Sequence, residues 1–293
     1  MDRPVPFFDE RLHALIAAAL AEDMGAGDHS TLSCIPADAR GRAVLNIKQD
    51  GILAGVEVAQ KIFQYREPAS VFHLHKTDGE AMRAGEIAFE VEASVYTILI
   101  CERLVLNCMQ RMSGIATLTH QFVDKIRDYS SKILDTRKTT PNFRLLEKDA
   151  VRIGGGQNHR YGLFDMIMLK DNHIDYCGGI RKAIDCAYQY KQEVNPGLKI
   201  EVEARTLEDV REVLGTGMAD RIMLDNFSPG LLREALGIIQ HKLETEASGG
   251  INLENIRSYA ETGVDFISIG ALIHQARSLD LSLKAEKVNS YGL

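Results

Sequence analysis

Six short apolar runs in the second half of the chain each end in residues able to do chemistry. Arg137 and Lys138 follow Ile133-Leu134, and Lys170 and Asp171 follow Met166 to Leu169. Glu203 and Arg205 follow Ile200 to Val202, while Asp225 and Asn226 follow Arg221 to Leu224. Leu243 to Ala247 runs into Ser248, Gly249 and Gly250, and Phe266 to Ile269 runs into Gly270. As parallel strands these runs would bring their last residues to one rim, where cations, carboxylates and exposed backbone amides meet.

The cations point to an anionic ligand. Between Arg137 and Lys170 stand seven Lys or Arg and three acids, in a chain of net charge -7. Arginine grips carboxylate or phosphate with planar paired donors and lysine supplies a compact charge, so the mixture suits a ligand with several anionic groups. Arg144, Lys148 and Arg152, spaced four apart, read instead as a solvated helix face. Glu203 and Asp225 beside a cationic rim suit a divalent metal or the hydroxyls of a sugar. Gly249-Gly250, ahead of a helix expected near Asn252, leaves N–H groups free for a terminal phosphate, and Gly270 lets backbone approach the same group. Gly154-Gly155-Gly156 matches neither phosphate-loop pattern and by itself signals a turn. His29, His73, His75 and His120 share no metal-ligand spacing and read as structural.

Positioning the rim requires strands alternating with helices. Helical stretches at Leu207 to Val213 and at Leu253 to Glu261, the second capped by Asn252 and stopped at Gly263, separate the apolar runs. Recurrent βα units without a dinucleotide glycine fingerprint favour a barrel over a doubly wound sheet. Upstream, Asp9 can cap a helix with Leu12, Leu15, Ile16, Ala19 and Leu20 on its apolar face, followed by a polar loop Asp28-His29-Ser30-Thr31. Ala43 to Ile47, Val71 to Leu74 and Ile87 to Val91 are strand-like runs broken by glycines, the mark of a small sheet-containing domain. From Ser94 to Ile126 the period turns helical, with Ile98, Cys101, Val105, Cys108, Met109 and Met112 on one stripe, and the domain junction falls within it.

Composition narrows the classes. The 293 residues, 45% hydrophobic and 26% charged, allow one large barrel or two ordinary domains. The acidic balance argues against a general nucleic-acid binder or membrane-surface protein, both of which need a broad basic face. The longest apolar stretch, Ala93 to Met112, contains Glu102, Arg103 and Arg111, which a bilayer would accept only at great cost. The first residues are too charged for a signal peptide. Cys34, Cys101, Cys108, Cys177 and Cys186 show no CxxC or zinc spacing, so reduced thiols, buried as small hydrophobes in a cytosolic protein, are the simplest reading.

Three segments make a highly specific combination: Asp135-Thr136-Arg137-Lys138-Thr139-Thr140-Pro141, Gly154-Gly155-Gly156-Gln157-Asn158-His159-Arg160 and Leu169-Lys170-Asp171-Asn172-His173. Together they resemble the quinolinate phosphoribosyltransferase family. The likeness runs on through Glu22-Asp23, Glu102-Arg103-Leu104, Glu201-Val202-Glu203, Leu224-Asp225-Asn226-Phe227, Glu246 to Ile251 and Ser268-Ile269-Gly270. It implies the type II phosphoribosyltransferase fold: an N-terminal α/β sandwich domain at residues 1–112, joined by residues 276–293, and an incomplete, open α/β barrel at residues 113–275. The implied reaction moves the phosphoribosyl group of phosphoribosyl pyrophosphate to quinolinate with decarboxylation. Its products are nicotinate mononucleotide, pyrophosphate and carbon dioxide, in cytoplasmic de novo NAD synthesis.

The resemblance also implies roles. Arg137, His159, Arg160 and Lys170, with Arg103, would surround the two carboxylates of quinolinate. Lys138 and Lys170 would lie towards the phosphates, Glu203 and Asp225 towards the ribose hydroxyls and Mg2+, the latter directly or through water. Ser248, Gly249, Gly250 and Gly270 would take the 5-phosphate, and Thr136, Ala271 and Leu272 complete the substrate-binding positions. Lys138, Lys170, Glu203 and Asp225 are the implied catalytic set. A homodimer is implied as well, in which Arg103 reaches the neighbouring subunit's site.

The chemistry suits those residue types. Departure of pyrophosphate leaves positive charge on the ribose as the pyridine nitrogen arrives, so carboxylates stabilise the sugar while magnesium and lysine stabilise the leaving group. The pyridinium formed is an electron sink for loss of the 2-carboxylate, and the cations need only position the diacid. Two rival readings use the same rim: a barrel aldolase or related lyase with Lys170 as Schiff-base lysine, and a non-catalytic sensor of a phosphorylated sugar or nucleotide. A related transferase acting on another base is a nearer variant.

Overall fold

The computed structural model describes residues 7–286; residues 287–293, part of the expected C-terminal return, lie outside the described residues, as do residues 1–6. The chain divides into two compact units, Met1–His120 with Thr139–Gly155 and Ile273–Leu293, and Gln121–Lys138 with Gly156–Leu272. The strands are β1 (Arg40–Ile47), β2 (Gly51–Ile52), β3 (Val71–Leu74), β4 (Ala81–Met82), β5 (Ile87–Ser94), β6 (Lys132–Leu134), β7 (Ile167–Leu169), β8 (Ile200–Ala204), β9 (Arg221–Asp225), β10 (Glu244–Ser248), β11 (Phe266–Ser268) and β12 (Leu281–Ala285).

The first unit is built on an antiparallel sheet of order β12-β1-β5-β3. Period-two alternation puts Ala43 and Leu45 of β1 opposite Val91 and Phe89 of β5, all four buried. Phe63, from helix Val56–Arg66, meets Phe72 with ring centroids 5.5 Å apart, and Phe72 meets Phe89 at 5.0 Å. Helix Val95–Lys125 buries the stripe Ile98, Cys101, Val105, Cys108, Met109 and Met112 that its period predicts. No helix among the described residues is long and apolar enough to cross a membrane.

Local expectations fail where tertiary context overrides them. Helix Phe8–Met24 starts one residue before Asp9, which sits in the first turn and faces Lys61 Nζ at 2.8 Å instead of capping. The expected polar loop at Asp28 is a helix, His29–Cys34, because the Asp28 carboxylate accepts the Thr31 N–H at 3.1 Å and caps it. Burial pushes the Cys101 and Cys108 thiols up to about 12, but Cys34 and Cys186 are exposed rather than buried. In helix Arg144–Ile153, Lys148 is fully buried and Arg152 Nη2 holds Asp149 Oδ1 at 2.8 Å, so this is no solvated face.

The second unit is a six-stranded parallel sheet of order β6-β11-β10-β9-β8-β7. The first strand pairs with the last, and β6 and β7 are not paired with each other among the described residues, so the barrel stays open between its first two strands. Gln157 bridges Leu134 along that free edge. The helix expected from Leu253 to Glu261 shrinks to Ile256–Ala260, since Asn252 Oδ1 accepts the N–H groups of Glu254 and Asn255 and forms a turn instead.

Candidate active site

Register alone sorts the barrel side chains. In a parallel pair, facing residues share a side of the sheet and residues two apart in a strand return to it. Glu201 faces Arg221 and Met168, Glu203 faces Met223, Glu246 faces Met223 and Phe266, and Ser248 faces Asp225. One face therefore carries Glu201, Glu203, Arg221, Asp225, Glu246 and Ser248. The other carries Ile200, Val202, Ile222, Leu224, Ala247 and Ile267, all buried. An apolar outer face packs the barrel helices, and a polar inner face is left for chemistry.

The inner face has two levels. At the C-terminal rim Lys170, one residue past β7, sets Nζ 3.4 Å from Glu203 Oε2. Asp225 ends β9 and accepts Asn226 Nδ2 at 2.6 Å. Asn226 is held at φ 57 and donates its N–H to Ser248 O at 2.8 Å. Gly249 and Gly250 follow at φ 99 and 64, two successive residues in the left-handed region that glycine favours. The next helix starts only at Ile256, so the helix N-terminus expected at Asn252 does not stand directly behind this loop. Gly270 follows β11 and precedes the short helix Ala271–His274 that includes Leu272.

Thr136, Arg137 and Lys138 follow β6, with Lys138 N–H donating to Thr136 Oγ1 at 3.1 Å and the Lys138 side chain exposed. Arg137 Nε is buried and makes no hydrogen bond among the described residues. Arg160 Nη1 reaches Met166 O at 3.3 Å, and burial and then the charge of Arg137 lower its pKa. Two guanidinium groups thus lie close enough to repel each other, beside an Arg137 Nε that has no hydrogen-bond acceptor among the described residues. Arg103 lies in the first unit, exposed on helix Val95–Lys125.

One level below the rim His159 is buried, with Nε2 3.0 Å from Glu201 Oε2 and 3.3 Å from Glu246 Oε2. These three form the one group among the described residues with His or carboxylate ligand atoms all within 4.8 Å. Arg221 Nη1 stands 3.3 Å from Glu246 Oε2 and already supplies positive charge there, so a cation of higher charge is disfavoured. Asp135, wholly buried, accepts His159 N–H at 2.8 Å and Asn158 Nδ2 at 2.7 Å.

Asp135, Glu201 and Glu246 are site-building residues to which sequence reasoning gave no role, and Asn226 was read only as a rim residue. The alternation Glu201-Val202-Glu203 was the available signal, since two carboxylates two apart on a strand must share a face. A hollow of about 580 Å³ opens at the opposite, N-terminal ends of the strands, lined by Lys199, Asp220, Lys242 and Glu244 among others. Lys199 and Arg221 both hold Glu244 there and Lys191 holds Asp220, so that end is a structural ion-pair set.

Comparisons with known proteins agree with this architecture. The family model described as quinolinate phosphoribosyl transferase, C-terminal domain, matches residues 115–284, and the N-terminal domain model matches residues 28–113. The chain is 43% identical to a chloroplastic nicotinate-nucleotide pyrophosphorylase [carboxylating] of Arabidopsis thaliana, over 96% of this chain and 84% of that one. A probable nicotinate-nucleotide pyrophosphorylase [carboxylating] of Bacillus subtilis is 42% identical, over 93% of each. Among solved structures, the nicotinate-nucleotide pyrophosphorylase of Francisella tularensis superposes with a TM-score of 0.87 at 36% identity, covering 98% of this chain and 100% of that one. With the two family models together matching residues 28–113 and 115–284, and a relative 43% identical over 96% of the chain, the chain belongs to the quinolinate phosphoribosyltransferase family.

Proposed function

We propose that the protein transfers the phosphoribosyl group of phosphoribosyl pyrophosphate to the ring nitrogen of quinolinate and releases pyrophosphate and carbon dioxide, yielding nicotinate mononucleotide for de novo NAD synthesis. The observation that carries it is the Arg137 and Arg160 pair, two like charges at the barrel mouth with a buried Nε lacking a hydrogen-bond partner among the described residues. A rigid dianion relieves that repulsion, and an aromatic 2,3-dicarboxylate fits two planar guanidinium groups.

The other roles belong to the same proposal. Lys170 joins the two arginines at the diacid, and Lys138 takes the diphosphate end. Glu203 and Asp225 face the ribose, where their charge stabilises the cation that develops as pyrophosphate leaves. Both present hard carboxylate oxygens that would suit a magnesium ion; two of them, one already paired with Lys170, would hold it only together with further oxygen ligands. Bound there, magnesium neutralises the oxygens of the leaving group. The Ser248-Gly249-Gly250 loop and Gly270 hold the 5-phosphate, with Thr136, His159, Ala271 and Leu272 shaping the substrate pocket.

Around this centre, the proposed assembly is a homodimer in which Arg103 enters the partner's site, with domains at residues 1–112 and 113–275 and residues 276–293 returning to the first. The proposed compartment is the cytoplasm. The test is direct: purified protein with quinolinate, phosphoribosyl pyrophosphate and magnesium should form nicotinate mononucleotide and pyrophosphate in equal amounts. Binding without pyrophosphate release would mark a sensor instead, and a borohydride-trapped adduct on Lys170 would mark a lyase.

A further inference from the structure

Beneath the rim lies a set of buried charged groups that connects to the segments carrying Arg137 and Arg160. Glu201 and Glu246 are fully buried, two residues below Glu203 and Ser248 on the same face of β8 and β10. Two buried carboxylates side by side require compensation. Arg221 compensates Glu246 from below, at 3.3 Å, and stacks over Phe266 with its guanidinium carbon 4.1 Å from the ring centroid. From above, both carboxylates face His159 Nε2.

The proton of that ring is placed by its surroundings. Burial works against a charged ring, but the facing carboxylates outweigh it and raise the His159 pKa to about 9. Arg160 N–H, 2.7 Å from Nδ1, favours a neutral ring instead, with its proton on Nε2. Both forms carry a proton on Nε2, which faces the two glutamates at 3.0 and 3.3 Å.

His159 in turn belongs to a segment with little regular structure of its own. Gln157 makes a single bridge to Leu134, and beyond it the chain is held by Asp135 through His159 N–H and Asn158 Nδ2. Asp135 directly precedes Thr136, Arg137 and Lys138, and His159 directly precedes Arg160. The two cationic segments therefore share one anchor.

We infer that Glu201 and Glu246, acting through the His159 ring, and Asp135, acting through the backbone of residues 157–159, are positioning residues that hold Arg160 in register with Arg137 for the diacid. None of the three needs to touch substrate. The inference rests on the proposed transferase activity and deepens it, by assigning the specificity for a planar dicarboxylate to a buried carboxylate pair.

The experiment measures KM for each substrate separately in wild type, Glu201→Leu and Glu201→Gln, alongside thermal melting. Leucine removes the nearer of the two carboxylates facing Nε2 and leaves Glu246 alone there, so KM for quinolinate should rise about tenfold or more, while KM for phosphoribosyl pyrophosphate stays within about twofold. Glutamine keeps an acceptor oxygen and should restore most of the loss. Equal rises for both substrates, or a lowered melting temperature with both KM values unchanged, would overturn the inference. If the leucine variant does not fold, the glutamine variant and wild-type NMR decide. The His159 ring signals should stay constant between pH 5.5 and pH 7.5, and a midpoint near the ordinary histidine value of about 6.5 would overturn it. A wild type that forms no nicotinate mononucleotide refutes the transferase reading, and the inference with it, before any variant is compared.

Discussion

Lys170 Nζ and Glu203 Oε2, 3.4 Å apart, join the ends of two neighbouring barrel strands, because the register that sets Leu169 against Val202 sets Lys170 against Glu203. The lysine side chain is 45% exposed and the glutamate 9%, so the pair bridges solvent and barrel interior. Each charge has its own use in the proposed reaction, the ammonium towards anionic groups and the carboxylate towards the ribose.

An exposed lysine in such a pair contributes about 1 kcal/mol or less to stability, whereas its charge at a reacting centre acts in a drier setting. Lys170→Ala should therefore lower kcat/KM by about 100-fold or more and shift the melting temperature by only a few degrees. Arg137→Ala should behave alike, since in the proposed site its guanidinium serves the ligand rather than the fold. Steady-state kinetics with melting curves on the same preparations check this, and near-normal turnover in either variant would remove that residue from the proposed site.

Gly249 tests the proposed phosphate loop. Its φ of +99 is strained for any residue with a Cβ, and an added Cβ would lie 2.2 Å from Asn226 Oδ1 and 2.7 Å from Asn226 Cγ. Asn226 cannot withdraw freely, since its amide holds Asp225 and its N–H holds Ser248 O. Gly249→Ala should cost about 1–3 kcal/mol and raise KM for phosphoribosyl pyrophosphate far more than KM for quinolinate. Unchanged affinity for the sugar phosphate would mean that the turn serves the fold alone.

Glu67 gives a pH signature in the first unit. Burial tends to raise its pKa, but Ser94 N–H at 2.9 Å, the Thr97 and Ser94 hydroxyls and Arg40 at 3.1 Å prevail and hold it at about 2, below the ordinary 4.5. A carboxyl whose folded pKa lies below its unfolded one stabilises the fold fully above the unfolded value and loses that contribution as pH falls through the folded one. The stability gap between wild type and Glu67→Gln should thus be largest above pH 5 and should shrink steadily towards pH 2. Denaturant titrations at several pH values measure it, and a gap independent of pH would refute the assignment.

The legibility of this chain follows the range of the interactions involved. The barrel runs and their polar ends could be read because strand period and strand termini are local properties, and Glu203 and Asp225 were found that way. Arg103 and His159 came from family likeness, since neither carries a local signal. Lys148 and Arg152 were misread because four-residue spacing describes a helix surface without saying what covers it. The Glu201, Glu246 and His159 cluster joins residues 42 or more apart in sequence through strand register, and no window along the chain contains it.

Glu147 closes the set with a stability prediction. It is fully buried in helix Arg144–Ile153, where Oε1 accepts Arg111 Nε at 3.1 Å, Arg111 Nη2 at 2.9 Å and the Thr140 hydroxyl at 2.9 Å. Oε2 accepts Thr140 N–H at 2.8 Å, so its acceptor capacity is well used. Arg111 also donates to Ile273 O and Ala276 O, at 2.7 Å each, and so fixes the chain just past the last barrel segment. Removing the carboxylate leaves a partly buried guanidinium and a backbone N–H without their acceptor, the costly half of breaking a buried ion pair. Glu147→Ala should destabilise the protein by about 3–5 kcal/mol, and Glu147→Gln by less, since one amide oxygen still serves Thr140. Urea denaturation measures both. A loss under about 1 kcal/mol for the alanine variant would show that the pair is solvated and that the carbonyls at residues 273 and 276 suffice for Arg111.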